Sequence, residues 1–73
     1  MEYDFTIINT KDFGYAVFNR AQNPPIRVSS YYKQISSASR YLMRLQSIVN
    51  SDNPPLEIYI GEAGKPIFKY QIK

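Results

Sequence analysis

The 73-residue chain contains no Cys, His or Trp, and only three Gly. Without Cys or His it has no disulfide framework, zinc finger, thiol nucleophile or Ser-His-Asp triad. No apolar run approaches the roughly 20 residues that a membrane helix needs. The chain opens Met-Glu-Tyr-Asp, which is acidic where a secretory signal would be basic. These absences predict a cytoplasmic protein, which would lie in the host cytoplasm if a phage encodes it.

The remaining residue types offer little for catalysis. The acids sit near the two ends of the chain and in expected turns, where solvated carboxylates ordinarily lie: Glu2, Asp4, Asp12, Asp52, Glu57 and Glu62. Residues 61–65 lack the spacing of a phosphate-binding loop and are predicted to form a hairpin turn. A Ser-Lys or Tyr-based mechanism stays open on residue types alone. We expect a protein that is not an enzyme and that has no cofactor and no metal site.

The composition favours one folded domain over residues 1–73. Hydrophobic residues make up 44% and aromatic residues 15% of the chain, which is too apolar for disorder. This length is near the lower limit for a self-supporting core, and no disulfide is available to reinforce it. The core must therefore come from apolar side chains alone.

Alternating apolar residues predict three strands in the first half of the chain. Residues 3–10 have the period of a strand with one buried face, and residues 15–20 return as its hairpin partner. Two prolines within residues 21–25 cannot continue a ladder, so this segment is predicted to be a loop. A short third strand is expected over residues 26–29.

The hydrophobic period then changes to that of a helix. Apolar residues recur at spacings of three and four, at Ile35, Ala38, Leu42, Leu45 and Val49. Ser36 or Ser37 is expected to cap the helix start. Strands are predicted over residues 56–60 and 66–72. The fold class is therefore α+β, in the order βββαββ, with an antiparallel sheet of about five strands and one helix packed on one face.

The order of the charges is more informative than their net value of +3. Residues 13–51 contain no acid, whereas the two ends together carry four lysines against six acids. Aromatic residues and one methionine are interleaved with the basic residues of this middle segment. The predicted partner-binding residues are Arg20, Arg27, Tyr31, Tyr32, Lys33, Arg40, Met43 and Arg44.

Several interpretations of this basic segment stay open. The arginines could be solvated charges on a small basic domain, or they could track the phosphates of a nucleic acid. They could also dock an acidic surface of a partner protein, which an outward Met43 favours because methionine adapts to protein surfaces. A homodimer could form through an edge strand, at residues 3–10 or 65–73. The acidic protein partner is the preferred hypothesis, and no membrane partner is expected.

The order of these motifs resembles a known class of proteins. The segments Tyr15-Ala-Val-Phe-Asn, Ile35-Ser-Ser-Ala-Ser-Arg-Tyr-Leu-Met-Arg-Leu and Asn-Pro-Pro-Leu-Glu-Ile-Tyr are similar to small phage-encoded accessory proteins of host takeover or anti-defence. The resemblance covers roughly residues 14–60. It implies stoichiometric binding that inhibits or modulates a host protein, without a cofactor.

Overall fold

The computed structural model describes residues 3–70 and contains five strands and one α-helix. The predicted α+β class and the order βββαββ are confirmed. The strands and the helix are β1 (Phe5–Asn9), β2 (Tyr15–Asn19), β3 (Ile26–Arg27), α1 (Ile35–Val49), β4 (Glu57–Ile60) and β5 (Pro66–Lys69), and a short 3₁₀ turn at Glu62–Gly64 joins the last two strands. The last strand was predicted to continue to Ile72, but it ends at Lys69, before Tyr70; residues 71 and 72 lie outside the described part of the chain.

The five strands are divided between two antiparallel sheets. The first sheet has the order β1-β2-β3, and the second pairs β4 with β5. Pro54 and Pro55 precede β4 and supply no N–H groups, so they do not extend a ladder toward the first sheet. The segments that lead into β1 and β4 are linked instead by the Tyr3 hydroxyl, which donates a hydrogen bond of 2.8 Å to the Pro55 carbonyl oxygen.

The β1–β2 hairpin depends on a left-handed residue at its end. Gly14 has φ +103°, and its carbonyl oxygen accepts from both the Thr10 backbone N–H and the Thr10 hydroxyl. The next residue, Tyr15, exchanges two backbone hydrogen bonds of 2.8 and 2.7 Å with Tyr32. This bridge fixes the segment that leads from β3 into α1.

The α-helix begins two or three residues earlier than a cap at Ser36 or Ser37 requires. Gln34 is the N-cap residue, in an extended conformation, and no side chain caps the helix. The prediction that Ser36 or Ser37 caps it is therefore wrong. Both serines already lie in the first turn, where the Gln34 carbonyl oxygen accepts from the backbone N–H of Ser37.

The apolar stripe of α1 packs on the first sheet as the spacing indicated. Ala38 and Leu45 are fully buried, and Leu42 and Val49 pack against the core at its edge. Ile35 was also expected in the stripe, but its side chain is 54% exposed. It is the first residue of the helix and lies beyond the part of α1 that the sheet covers.

The core combines one buried residue from most of the elements. Leu45 of α1 meets apolar side chains of both sheets and of the residue after β3, so that the cluster consists of Phe5, Val17, Val28, Leu45 and Ile58. Within residues 3–70, no helix is long and apolar enough to cross a membrane. The three predicted binding residues on α1, Arg40, Met43 and Arg44, are exposed.

Candidate binding surface

A surface cleft of about 270 Å³ lies between α1 and the segment before it. Ser37, Arg40, Tyr41 and Arg44 line one side, and Tyr32 lines the other. The helical residues are spaced by three, one and three positions, so they form one stripe along α1. Tyr32 is held opposite them by its backbone bridge to Tyr15. We call these five residues the basic cleft.

The two tyrosine rings of the basic cleft face each other at an angle. The centroids of Tyr32 and Tyr41 are 6.2 Å apart, and the ring planes are inclined by 41°. The Tyr41 hydroxyl oxygen is shielded from solvent and has no hydrogen-bond partner among the described residues. A buried hydroxyl without a partner costs about 1–3 kcal/mol, so this group lowers the stability of the folded protein.

Both phenols are protonated at neutral pH, and burial raises the pKa of each further. Burial, with a smaller contribution from the neighbouring Tyr32, raises the pKa of Tyr41 to about 12, and the Arg44 guanidinium opposes this rise. Burial also raises the pKa of Tyr32, again opposed by Arg44. The cleft therefore combines neutral tyrosine side chains with permanently charged guanidinium groups.

No acid compensates the positive charge of the basic cleft within residues 3–70. The ion pair within these residues lies outside the cleft: it joins the Lys69 Nζ and Glu57 Oε2 atoms, 3.9 Å apart on the exposed surface of the β4–β5 sheet. Neither Arg40 nor Arg44 forms an ion pair with any described residue. Two guanidinium groups one helical turn apart thus lie at the cleft with their charges open to an incoming anion.

A second group of predicted residues lies in β3 and in the segment that follows it. The Arg27 guanidinium lies 4.2 Å from the ring centroid of Tyr31, and it donates a hydrogen bond to the Ser29 carbonyl oxygen. The ring centroid of Phe13, in the β1–β2 turn, lies 5.1 Å from the ring centroid of Tyr31. Phe13 is 67% exposed and Tyr31 is 41% exposed. We call Phe13, Tyr31 and Arg27 the aromatic platform.

The eight predicted binding residues are therefore only partly brought together. Tyr32, Arg40 and Arg44 share the basic cleft, and Arg27 and Tyr31 share the aromatic platform. The other three, Arg20, Lys33 and Met43, are exposed but line neither group among the described residues.

Sequence reasoning missed three of the residues that complete these groups. Tyr41 is not among the residues that the sequence predicts to bind a partner, and Ser37 is predicted only as a possible helix cap. Their spacing with Arg40 and Arg44 was the signal that could have placed them on the same helix face. Phe13 lies between the two predicted strands of the first hairpin, and nothing local in the sequence indicates that its ring reaches Tyr31.

A second cleft, of about 250 Å³, lies between the two sheets. No basic residue lines it; its walls are Tyr3, Asn19, Gln22, Ile26, Val28, Glu57, Ile58 and Tyr59. Its one charged residue, Glu57, is also the partner of Lys69 in the ion pair. Among residues 3–70, no three acidic side chains come close enough to hold a metal ion.

Comparison of the chain with protein-family models, with curated proteins and with solved structures finds no significant match.

Proposed function

We propose that this protein is a small, non-enzymatic binding module that docks an acidic surface of a partner protein through the basic cleft. The observation that carries the proposal is the pair of guanidinium groups of Arg40 and Arg44, which have no described ion-pair partner and flank two tyrosines. Arginine and tyrosine are among the residue types that are enriched at the energetic hot spots of protein interfaces. Met43, 71% exposed on the same helix, adds an adaptable apolar contact.

The proposed biological mode follows the resemblance to phage accessory proteins. Such a protein acts stoichiometrically, by occupying a surface of a host protein and thereby inhibiting or modulating it. A surface of this kind needs no catalytic group and no cofactor. Complementary charge would accelerate the encounter with an acidic partner and help to exclude wrong partners.

The test compares two variants that change the net charge equally. Fluorescein-labelled hexaglutamate serves as the acidic probe, and fluorescence anisotropy measures its affinity at low salt. Arg40→Glu/Arg44→Glu should weaken binding by at least about tenfold, because both cleft cations are reversed. The helix should tolerate this change, since the two positions carry like charges one turn apart before and after it.

The matched control is Lys11→Glu/Lys65→Glu, which reverses two exposed lysines outside the basic cleft. It should weaken binding by less than about threefold, through the general field alone. Circular dichroism checks that both variants are folded. Equal losses in the two variants would show that the net charge, and not the cleft, attracts the probe.

A second candidate function is nucleic-acid binding, and the aromatic platform favours it. Exposed rings beside a guanidinium group are stacking surfaces for unpaired bases. An eight-residue oligothymidylate, measured at two salt concentrations, tests this function. Salt-sensitive binding that Phe13→Ala weakens would support it, and no salt-sensitive binding at low salt would remove it.

A further inference from the structure

The first sheet has an open edge along β1. This strand is the outer member of the order β1-β2-β3, and no strand among residues 3–70 pairs with its other side. The N–H and C=O groups along such an edge are a template for pairing with a further strand. Proteins that stay monomeric usually blunt an open edge with charge, proline or a very short strand.

β1 lacks the features that blunt the other edges of the two sheets. Its sequence, Phe-Thr-Ile-Ile-Asn, contains neither a charged residue nor a proline. β3 is only two residues long and includes Arg27, and β4 includes Glu57. β5 starts at Pro66 and ends at Lys69. Among the strands of residues 3–70 that end a sheet, β1 is therefore the one with no device against pairing.

Hydrogen bonds at the two ends of the β1–β2 ladder show which residues of β1 bond to β2. The Arg20 N–H donates to the Asp4 carbonyl oxygen over 2.7 Å, and the Thr10 N–H donates to the Gly14 carbonyl oxygen over 2.8 Å. Bonded and non-bonded pairs alternate along an antiparallel ladder. Every second residue of β1, counted from Asp4, therefore bonds to β2.

The residues between these ends divide into two sets. Thr6 and Ile8 bond to β2, whereas the backbone groups of the other three residues point to the open edge: Phe5, Ile7 and Asn9. Those three residues have no backbone hydrogen bond to a further element of the described chain. Asn9 is exposed, and Thr6, Ile7 and Ile8 are each partly exposed, so the edge is open to a partner along most of its length.

The open edge is complementary to a second copy of itself. A two-fold axis through Ile7 places Ile7 opposite Ile7 of the second copy, and Phe5 opposite Asn9 of the second copy. The outward backbone groups of each copy then meet those of the other in antiparallel hydrogen-bonded pairs. No charged residue lies within the paired segment, so no like charges are brought together there.

The charges that flank β1 favour this position of the axis. With the axis at Ile7, Asp4 lies opposite Thr10 and next to Lys11 of the second copy, so opposite charges meet at both ends of the paired strands. An axis through Ile8 would instead set Asp4 opposite Asp12 of the second copy, which is a repulsive pair.

We propose that this protein forms a symmetric homodimer in which two copies of β1 pair antiparallel about Ile7 and join their sheets into one. This inference goes beyond the proposed function and does not depend on it, because β1 contributes no residue to the basic cleft. Each dimer carries two basic clefts.

Light scattering at increasing protein concentration tests the self-association. The mean mass should rise from that of one chain toward twice that value as the concentration approaches about 1 mM, because an interface built on one strand edge is smaller than a standard protein interface. The mass of one chain throughout would overturn the proposal. Growth beyond two chains would also overturn it, because two-fold pairing of β1 uses up the open edge.

Two double variants test the register. In the proposed dimer Thr6 lies opposite Ile8 of the second copy, so Thr6→Lys/Ile8→Lys brings like charges together at two contacts and should weaken dimerisation by at least about tenfold. Thr6→Lys/Ile8→Glu brings opposite charges together at the same contacts and should dimerise at least about tenfold more tightly than the first variant. Equal dimerisation of the two variants would overturn the pairing about Ile7.

The two variants are matched for folding. Thr6 and Ile8 alternate with Phe5 and Ile7, which pack in or against the core, so the replaced side chains lie on the other face of the sheet. Both variants lose the same two side chains and differ only in the charge at position 8. Circular dichroism checks that both are folded.

A measurement on the original protein keeps the proposal testable if either variant fails to fold. In a mixture of isotope-labelled and unlabelled chains, isotope-filtered nuclear Overhauser effects should connect the Hα atom of Thr6 in one copy with that of Ile8 in the other. Residues in non-hydrogen-bonded antiparallel pairs have Cα atoms about 4.5 Å apart, which brings these hydrogens into contact. Contacts between copies that involve only other strands or the basic cleft would overturn the proposal.

Discussion

Replacement of Gly14 by alanine should disturb both the fold and the basic cleft. Gly14 has φ +103°, and a Cβ atom there would lie 2.5 Å from the Tyr32 carbonyl oxygen. That oxygen accepts the 2.8 Å hydrogen bond from the Tyr15 N–H. The backbone must therefore move, and the bridge that holds Tyr32 opposite α1 must loosen.

The size of the effect follows from two terms. An alanine with positive φ costs about 1 kcal/mol, and the loss of the two Tyr15–Tyr32 hydrogen bonds costs about 1 kcal/mol each. Gly14→Ala should thus lower the free energy of unfolding by about 3 kcal/mol. A chain of this length has a total of roughly 4–11 kcal/mol, so the variant should remain folded in the absence of denaturant.

Gly64→Ala is the matched control. Gly64 has φ +71°, and a Cβ atom there would meet nothing within 4 Å. Only the backbone term applies, so the expected loss is about 1 kcal/mol. Urea unfolding followed by circular dichroism should separate the two variants by about 2 kcal/mol. The Gly14→Ala variant should also bind hexaglutamate more weakly, after correction for its folded fraction, because Tyr32 has moved.

The steric argument would be refuted if the two glycine variants had unfolding free energies within about 0.5 kcal/mol of each other. That result would mean that the hairpin absorbs the Cβ atom without cost. Equal affinities for hexaglutamate would further show that the Tyr15–Tyr32 bridge does not position the basic cleft.

Two other predictions concern the buried face of α1 and the hydroxyl group of Tyr41. Leu45→Ala should lower the free energy of unfolding by about 3 kcal/mol, because Leu45 is fully buried, whereas Met43→Ala on the exposed face should change it by less than about 0.5 kcal/mol in urea titrations. Similar losses at both positions would contradict the assigned faces of α1. Between pH 10 and 12 the unfolded state loses the Tyr41 proton before the folded state does, because burial raises the pKa of Tyr41 to about 12, so stability should fall in this window. The ring is partly exposed, which reduces the effect, so between pH 10 and 12 the free energy of unfolding of the original protein should fall by about 1 kcal/mol more than that of Tyr41→Phe. Plots of the unfolding free energy against pH that run parallel for the two proteins would contradict this.

The fold was predictable because its patterns are local. The helical spacing of Ala38 and Leu45, and the alternation around Phe5 and Val17, each encode which face is buried within a few residues. The division into two sheets was not predictable in this way. It depends on how the segment before β4 meets Tyr3, more than fifty residues earlier in the chain.

The candidate site shows the same limit. The exposed positions of Arg40 and Arg44 follow from helical periodicity, so the sequence was sufficient to place them. The pairing of Tyr32 with Tyr41 depends on the backbone bridge to Tyr15, and that bridge depends on the absence of a side chain at Gly14. No pattern along the chain encodes such a tertiary contact. Phe13 is a similar case, since its ring meets Tyr31 only because the hairpin end folds against the loop.

Backbone amide chemical shifts of the isotope-labelled protein, recorded during titration with hexaglutamate, test the central claim most directly. The account predicts that the resonances of Tyr32, Ser37, Arg40, Tyr41 and Arg44 shift together with one dissociation constant, while those of β4 and β5 stay in place. Shifts centred on the β4–β5 sheet, or spread evenly over all exposed lysines and arginines, would contradict the assignment of the basic cleft as the binding site.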